Sequence, residues 1–160
     1  MSPRERKRIM TAKKTDNMAV YLFHQGTNFH AYDYLGVHKT DNGYVFRVWA
    51  PHAKEMFVTG DFNGWTDSCP MTRISSEGVW EATLERNDFG ADSKYKFLVR
   101  SESGDVYKAD PYAFYAEKAP ATASVYYDIS GFSWSDEKWM NARKKKMTEP
   151  KYETPLNIYE

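Results

Sequence analysis

Among the residues whose type and spacing could do chemistry, the stretch Val58-Thr59-Gly60-Asp61-Phe62-Asn63-Gly64-Trp65 is the most informative. Gly60 and Gly64 tolerate positive φ, and Asp61 and Asn63 can bond local backbone, so a sharp turn is expected with Trp65 just beyond it. An indole at a loop tip could stack on the apolar face of a sugar ring while its N–H takes a polar partner. The competing reading folds Trp65 back into a core, where most large aromatics reside.

Other chemistries find less support. His24, His30, His38 and His52 show no metal-ligand spacing, and Cys69 is the single cysteine, so neither a metal site nor an internal disulfide is expected. The glycines form no phosphate-cradling loop, and no cofactor is implied. Asp61 and Asp110 sit in turns, where capping explains them, and no set of nucleophile, base and orienting group emerges. We therefore assign no catalytic residue.

The 160 residues leave room for one core plus tails. The 22 basic and 22 acidic residues cancel, which argues against nucleic acid or an anionic membrane as partner. There is no run of ~18 apolar residues and no signal-like N-terminus, so the expected setting is the cytoplasm.

The elements that must position Trp65 read in order. Residues 1–16 form a basic, mobile tail. Residues 17–40 hold a short helix, capped by Asp16 or Asn17 and ended by Gly26, and then an irregular strap containing Tyr32, Tyr34, Leu35 and Val37. Residues 41–131 begin with the turn signal Asp41-Asn42-Gly43 and continue as six or seven short strands. Tyr44, Phe46 and Val48 share one face, as do Trp80, Ala82 and Leu84, and Tyr95, Phe97 and Val99. Met56 and Val58 point inward or outward together. Ser124 to Ile129 reads as the last strand. Residues 132–147 form a helix, with Trp139 and Arg143 an i, i+4 pair, and residues 148–160 a linker and the start of a strand. The fold class is all-β: an antiparallel, immunoglobulin-like sandwich with short helices at both ends.

Several of these segments together carry a resemblance. Phe23-His24-Gln25-Gly26-Thr27-Asn28, Tyr34-Leu35-Gly36-Val37-His38, Phe46-Arg47-Val48-Trp49-Ala50-Pro51, Gly60 to Trp65, Tyr95-Lys96-Phe97 and Lys108-Ala109-Asp110-Pro111 resemble the front end of glycogen branching enzymes. The β portion resembles the family-48 carbohydrate-binding module, an early-set immunoglobulin-like sandwich. The resemblance implies binding of α-glucan, either glycogen or malto-oligosaccharide, through Trp65, Lys96, Tyr107, Thr122 and Ser124. It also implies that Pro155 to Glu160 opens the first strand of a catalytic barrel belonging to a parent chain, which would be this module's other partner. That parent would cleave α-1,4-glucan and transfer the piece to make α-1,6 branches, whereas these residues alone would be an inactive monomer. The alternatives are a free-standing glucan-binding scaffold or the module of a debranching-type enzyme.

Overall fold

The computed structural model describes residues 18–85, 87–147 and 159, and the chain divides into two compact units after Tyr127. The basic tail, the residue capping the first helix and the C-terminal strand start lie outside the described residues, apart from Tyr159. Among the described residues no helix is long and apolar enough to cross a membrane.

The first unit is a sandwich of two antiparallel sheets. One has the order β1-β2-β5-β4, from Gly36–Thr40, Gly43–Trp49, Val79–Glu85 and Thr72–Arg73. The other has the order β3-β6-β9-β8, from Glu55–Gly60, Lys94–Ser101, Ser124–Val125 and Tyr115–Ala116, and β7 (Gly104–Lys108) pairs with β6 as well. The period-2 alternation decides which side chains meet between them. Tyr44, Phe46, Val48, Trp80 and Ala82 of the first sheet meet Met56, Val58, Tyr95 and Phe97 of the second in one core. Met56 and Val58 are thus the inward pair of β3. Phe89 is the aromatic hub of this core, meeting Tyr44, Phe46, Phe62 and Tyr95 edge-to-face at 4.9–5.8 Å.

The segment read as an irregular strap contains a strand. Gly36–Thr40 pairs along its length with β2, and Asp41-Asn42 is the turn of that hairpin. Before it, helix α1 (residues 18–24) ends as expected at Gly26, whose φ is 71°. This helix covers the outer face of the first sheet: Ala19, Val20 and Phe23 pack on a second cluster of Tyr34, Leu35 and Val79. Phe23 meets Trp49 edge-to-face at 5.8 Å. His24 is held between the Ser75 hydroxyl at 3.2 Å and the Glu77 carboxylate at 3.1 Å. Arg47 closes the cluster, lying 4.4 Å over the Tyr34 ring and bonded to Glu81 at 2.7 Å. The Phe-His-Gln-Gly-Thr motif is therefore a clamp that seats a helix.

The last strand is shorter than the sequence suggests, with only Ser124–Val125 in β9. In the second unit, helix α2 (Glu137–Met147) follows Asp136, whose carbonyl accepts the Met140 amide at 2.9 Å. Arg143 lies 5.3 Å over the Trp139 ring, the i, i+4 contact expected from the sequence.

Candidate functional site on the outer face of the second sheet

Strand β6 carries two sets of side chains. Tyr95, Phe97 and Val99 enter the core, so Lys94, Lys96, Leu98 and Arg100 line the outer face. Register sets their neighbours: Thr59 beside Lys96, and Phe57 and Tyr107 on either side of Leu98. Residues directly opposite share a face, so Tyr107 stands one strand across and two residues along from Lys96. Its ring is 55% exposed.

The turn that delivers Trp65 is built chiefly by Asn63. Its Oδ1 accepts the Gly60 amide at 2.9 Å, and its Nδ2 donates to the Val58 and Thr66 carbonyls at 3.1 and 3.0 Å. Gly64 is left-handed with φ 61°, as expected, but Gly60 is extended. Glycine is required at 60 for space, because a Cβ there would stand 2.2 Å from the Lys94 carbonyl oxygen of the neighbouring strand. The second left-handed residue is Trp65 itself, with φ 63°. A bulky residue in that region costs about 1–2 kcal/mol and is uncommon outside functional or strained positions. Its amide donates to the Gly60 carbonyl at 2.9 Å, and its indole N–H donates to Asp61 Oδ1 at 3.1 Å. Trp65 is 37% exposed and belongs to neither core cluster, which removes the core reading.

Beyond Trp65, Asp67 bonds Arg100 at 2.7 Å, and Cys69 to Met71 then pair with the edge of β3. Arg100 also bonds Asp105 at 3.1 Å and Glu55 at 3.3 Å and lies 4.6 Å over Phe57. This network pins the loop on which Trp65 rides.

The structure brings Lys96 and Thr122 into direct contact: the ammonium donates to the Thr122 hydroxyl at 2.7 Å. Two ammonium N–H groups and the threonine hydroxyl hydrogen remain for another partner. Ser124 is a correction, because it is only 1% exposed and its hydroxyl accepts the Asp110 amide at 2.8 Å. Ser124 therefore acts from beneath the face and touches nothing bound on it. Asp110 is buried too, accepting the Tyr95 hydroxyl at 2.7 Å and the Tyr112 amide at 2.8 Å. Burial raises its pKa, and these two hydrogen bonds oppose that rise. Burial, together with the Asp110 charge, keeps the Tyr95 phenol protonated. The network ties β6 to the turn after β7 and to β9, the elements that present Lys96, Tyr107 and Thr122.

Sequence reasoning missed the ion pair between Lys94 and Glu117, 2.9 Å apart on the same face. Each holds the other charged: the Glu117 pKa falls and the Lys94 pKa rises. It also missed Thr59, whose hydroxyl is buried without a partner among the described residues. Among the described residues no cluster of metal-binding side chains occurs. A cleft of about 630 Å³ opens elsewhere, between α1 and the turn joining β4 to β5, lined by residues that include Tyr21, His24, Ile74 and Glu77. None of the residues of the outer face lines it. Around the Lys96–Thr122 contact the Tyr107 ring is exposed, whereas Thr59 and Leu98 on the same side of the sheet are buried.

Known proteins resemble this chain in sequence and in fold. Residues 34–113 match the family model described as Carbohydrate-binding module 48 (Isoamylase N-terminal domain). The chain is 44% identical over 147 residues to the 1,4-alpha-glucan branching enzyme GlgB of Bacillus subtilis (strain 168), covering 88% of this chain and 23% of that one. It is 38% identical over 156 residues to the enzyme of the same name from Bacillus caldolyticus, covering 94% and 23%. The chain thus spans about a quarter of the length of these curated relatives. Among solved structures, a substituted pullulanase from Paenibacillus barengoltzii complexed with maltotriose superposes with TM-score 0.52 at 27% identity, over 68% of this chain and 16% of that one. The pullulanase type I of Bacillus subtilis str. 168 complexed with maltose gives TM-score 0.52 at 24% identity, over 63% and 14%, a likeness of fold.

Proposed function

The chain belongs to the carbohydrate-binding module 48 family, and on that premise we propose that the outer face of its second sheet binds α-glucan. The observation that carries the proposal is the Lys96–Thr122 hydrogen bond on the outer face of the second sheet, which also bears the half-exposed Tyr107 ring, with Trp65 exposed just beyond the turn that follows β3. A glucose ring offers an apolar face to an aromatic ring and a rim of hydroxyls to hydrogen-bonding groups. In this arrangement Trp65, its edge fixed by Asp61, and Tyr107 are the stacking platforms. Lys96 and Thr122 supply donors and acceptors between them, and Asp110 and Ser124 hold the strands in register.

The relatives' names support glycogen or malto-oligosaccharide as ligand and a branching enzyme as parent. In that reading the branching reaction belongs to a catalytic barrel of the parent chain, and this module is a monomer that holds substrate for it. The higher identity to branching enzymes than to pullulanases favours this parent over a debranching one. The free thiol of Cys69 suits a reducing compartment and supports a cytoplasmic setting.

Calorimetric titration of the 160-residue chain with maltoheptaose and with a β-linked glucan of equal length tests the proposal. Binding of the α-linked oligosaccharide alone is expected, and equal binding of both, or of neither, contradicts it. An iodine-stain assay on amylose should show no new branches with this chain alone.

A further inference from the structure

We propose that Tyr115 and Tyr127, flanked by the Lys94–Glu117 ion pair, form a second sugar platform on the same sheet face that takes the next stretch of the same α-glucan. This rests on the glucan-binding reading of the face. Register supplies the first argument: Lys94 pairs with Val125 and Val125 with Tyr115, so the three form one row across β6, β9 and β8. Lys94 and Lys96 are two residues apart on β6 and share a face, so this row adjoins the Lys96 site. Backbone pairing then continues past β9, with the Tyr126 amide donating to the Ser93 carbonyl at 2.9 Å and the Asp92 amide to the Tyr126 carbonyl at 3.1 Å. Alternation sends Tyr126 into the core and returns Tyr127 to the outer face.

The two rings lie 6.0 Å apart with their planes inclined at 52°. They are 51% and 55% exposed, while Val125 is nearly buried. Neither ring belongs to a core cluster, so the fold does not need them for packing. Beside them, Glu117 holds the Lys94 ammonium with one oxygen and accepts the Ala123 amide at 3.1 Å with the other. Lys94 keeps two free N–H donors. An exposed aromatic surface beside an anchored lysine is the composition of the Trp65–Lys96 site repeated along the sheet.

The separation sets the ligand's length. From the Tyr107 row to the Tyr115 row is four residues along β6 and one further strand across, about 14 Å. A short oligosaccharide cannot cover both platforms, whereas a longer chain bridges them, and the second contact is gained at high effective concentration.

The experiment titrates maltotriose and maltoheptaose into the 160-residue chain, into Tyr115→Ala/Tyr127→Ala, into Tyr115→Phe/Tyr127→Phe and into Trp65→Ala. The alanine pair should lose about tenfold in maltoheptaose affinity with less than a twofold change for maltotriose. The phenylalanine pair, which keeps the platform, should bind as the parent chain does. Thermal midpoints of both tyrosine variants should stay unchanged, since the rings are exposed. Unaltered maltoheptaose affinity in the alanine pair, alongside a loss in Trp65→Ala, overturns the second platform and leaves the first standing. If the unsubstituted chain binds neither oligosaccharide, the reading of the whole face fails, and this proposal with it.

Discussion

The outer faces of the two sheets have opposite fates. On the first sheet, helix α1 and the segment after it bury Leu35 and Val79, and Phe23 and His24 fasten the helix down. On the second, the strands leave Tyr107, Tyr115 and Tyr127 in solvent, and the polar groups between them are fixed by ion pairs and by a buried carboxylate underneath. Both faces are rich in aromatic rings, so composition alone does not separate them. What differs is how much aromatic surface stays in solvent: on the second sheet Thr59, Leu98 and Val125 are buried, while the Tyr107, Tyr115 and Tyr127 rings are about half exposed. Exposed rings beside tightly fixed polar groups are the arrangement on which the glucan-binding proposal rests.

That contrast can be broken from either side. The largest effect is expected on the covered face, where Leu35 is 1% exposed. Leu35→Ala should cost about 2–5 kcal/mol in denaturant unfolding while leaving the affinity of the folded protein for maltoheptaose unchanged. Asp110→Ala comes next, because it strands the Tyr95 hydroxyl and the Tyr112 amide. A loss of about 1–3 kcal/mol is expected, and here affinity should fall as well, since the strands bearing Lys96, Tyr107 and Thr122 lose their tie. Stability loss with full affinity in the folded fraction would show that the network does not position the face. Thr59→Val removes a buried hydroxyl that has no partner among the described residues, at nearly constant volume, so it should stabilise the fold by up to about 1 kcal/mol in the same measurement.

The smallest effect concerns pH. Glu117 is depressed by Lys94, so its contribution is present above the ordinary carboxylate range and is lost as pH falls through its lowered pKa. Lys94 is raised, so its share persists until pH climbs through the lysine range. Replacing Glu117 with Gln should flatten the acid limb of the stability curve slightly, a change that thermal melts across pH would register.

The sandwich was legible because β2, β5 and β6 alternate: Tyr44, Phe46 and Val48, then Trp80, Ala82 and Leu84, then Tyr95, Phe97 and Val99 each fall on the core side. Strand β1 was not, because Gly36 to Thr40 carries no alternation and owes its conformation to pairing with β2. Strands β4 and β8, two residues each, are too short to leave a period. At the site, Trp65, Lys96, Tyr107 and Thr122 were named from a resemblance to a family; Lys96 and Tyr107 share the outer side of β6 and β7, Thr122 bonds Lys96, and Trp65 follows the turn after β3. Ser124 was misread because its direction is set by pairing with the inward-facing Tyr95, and a two-residue strand leaves no alternation in the sequence to show it. The Lys94–Glu117 pair was hidden for a similar reason, since it joins residues on β6 and just after β8 that only the sheet brings together.

The most direct test of the account compares Trp65→Ala with the parent chain in two measurements on one preparation, maltoheptaose titration and thermal unfolding. A stacking platform held outside the core predicts at least about a tenfold loss of affinity with the midpoint moved by no more than about 2–3 °C. Unchanged affinity, or a collapse of the midpoint with binding intact in the folded fraction, would contradict it and return Trp65 to a structural role.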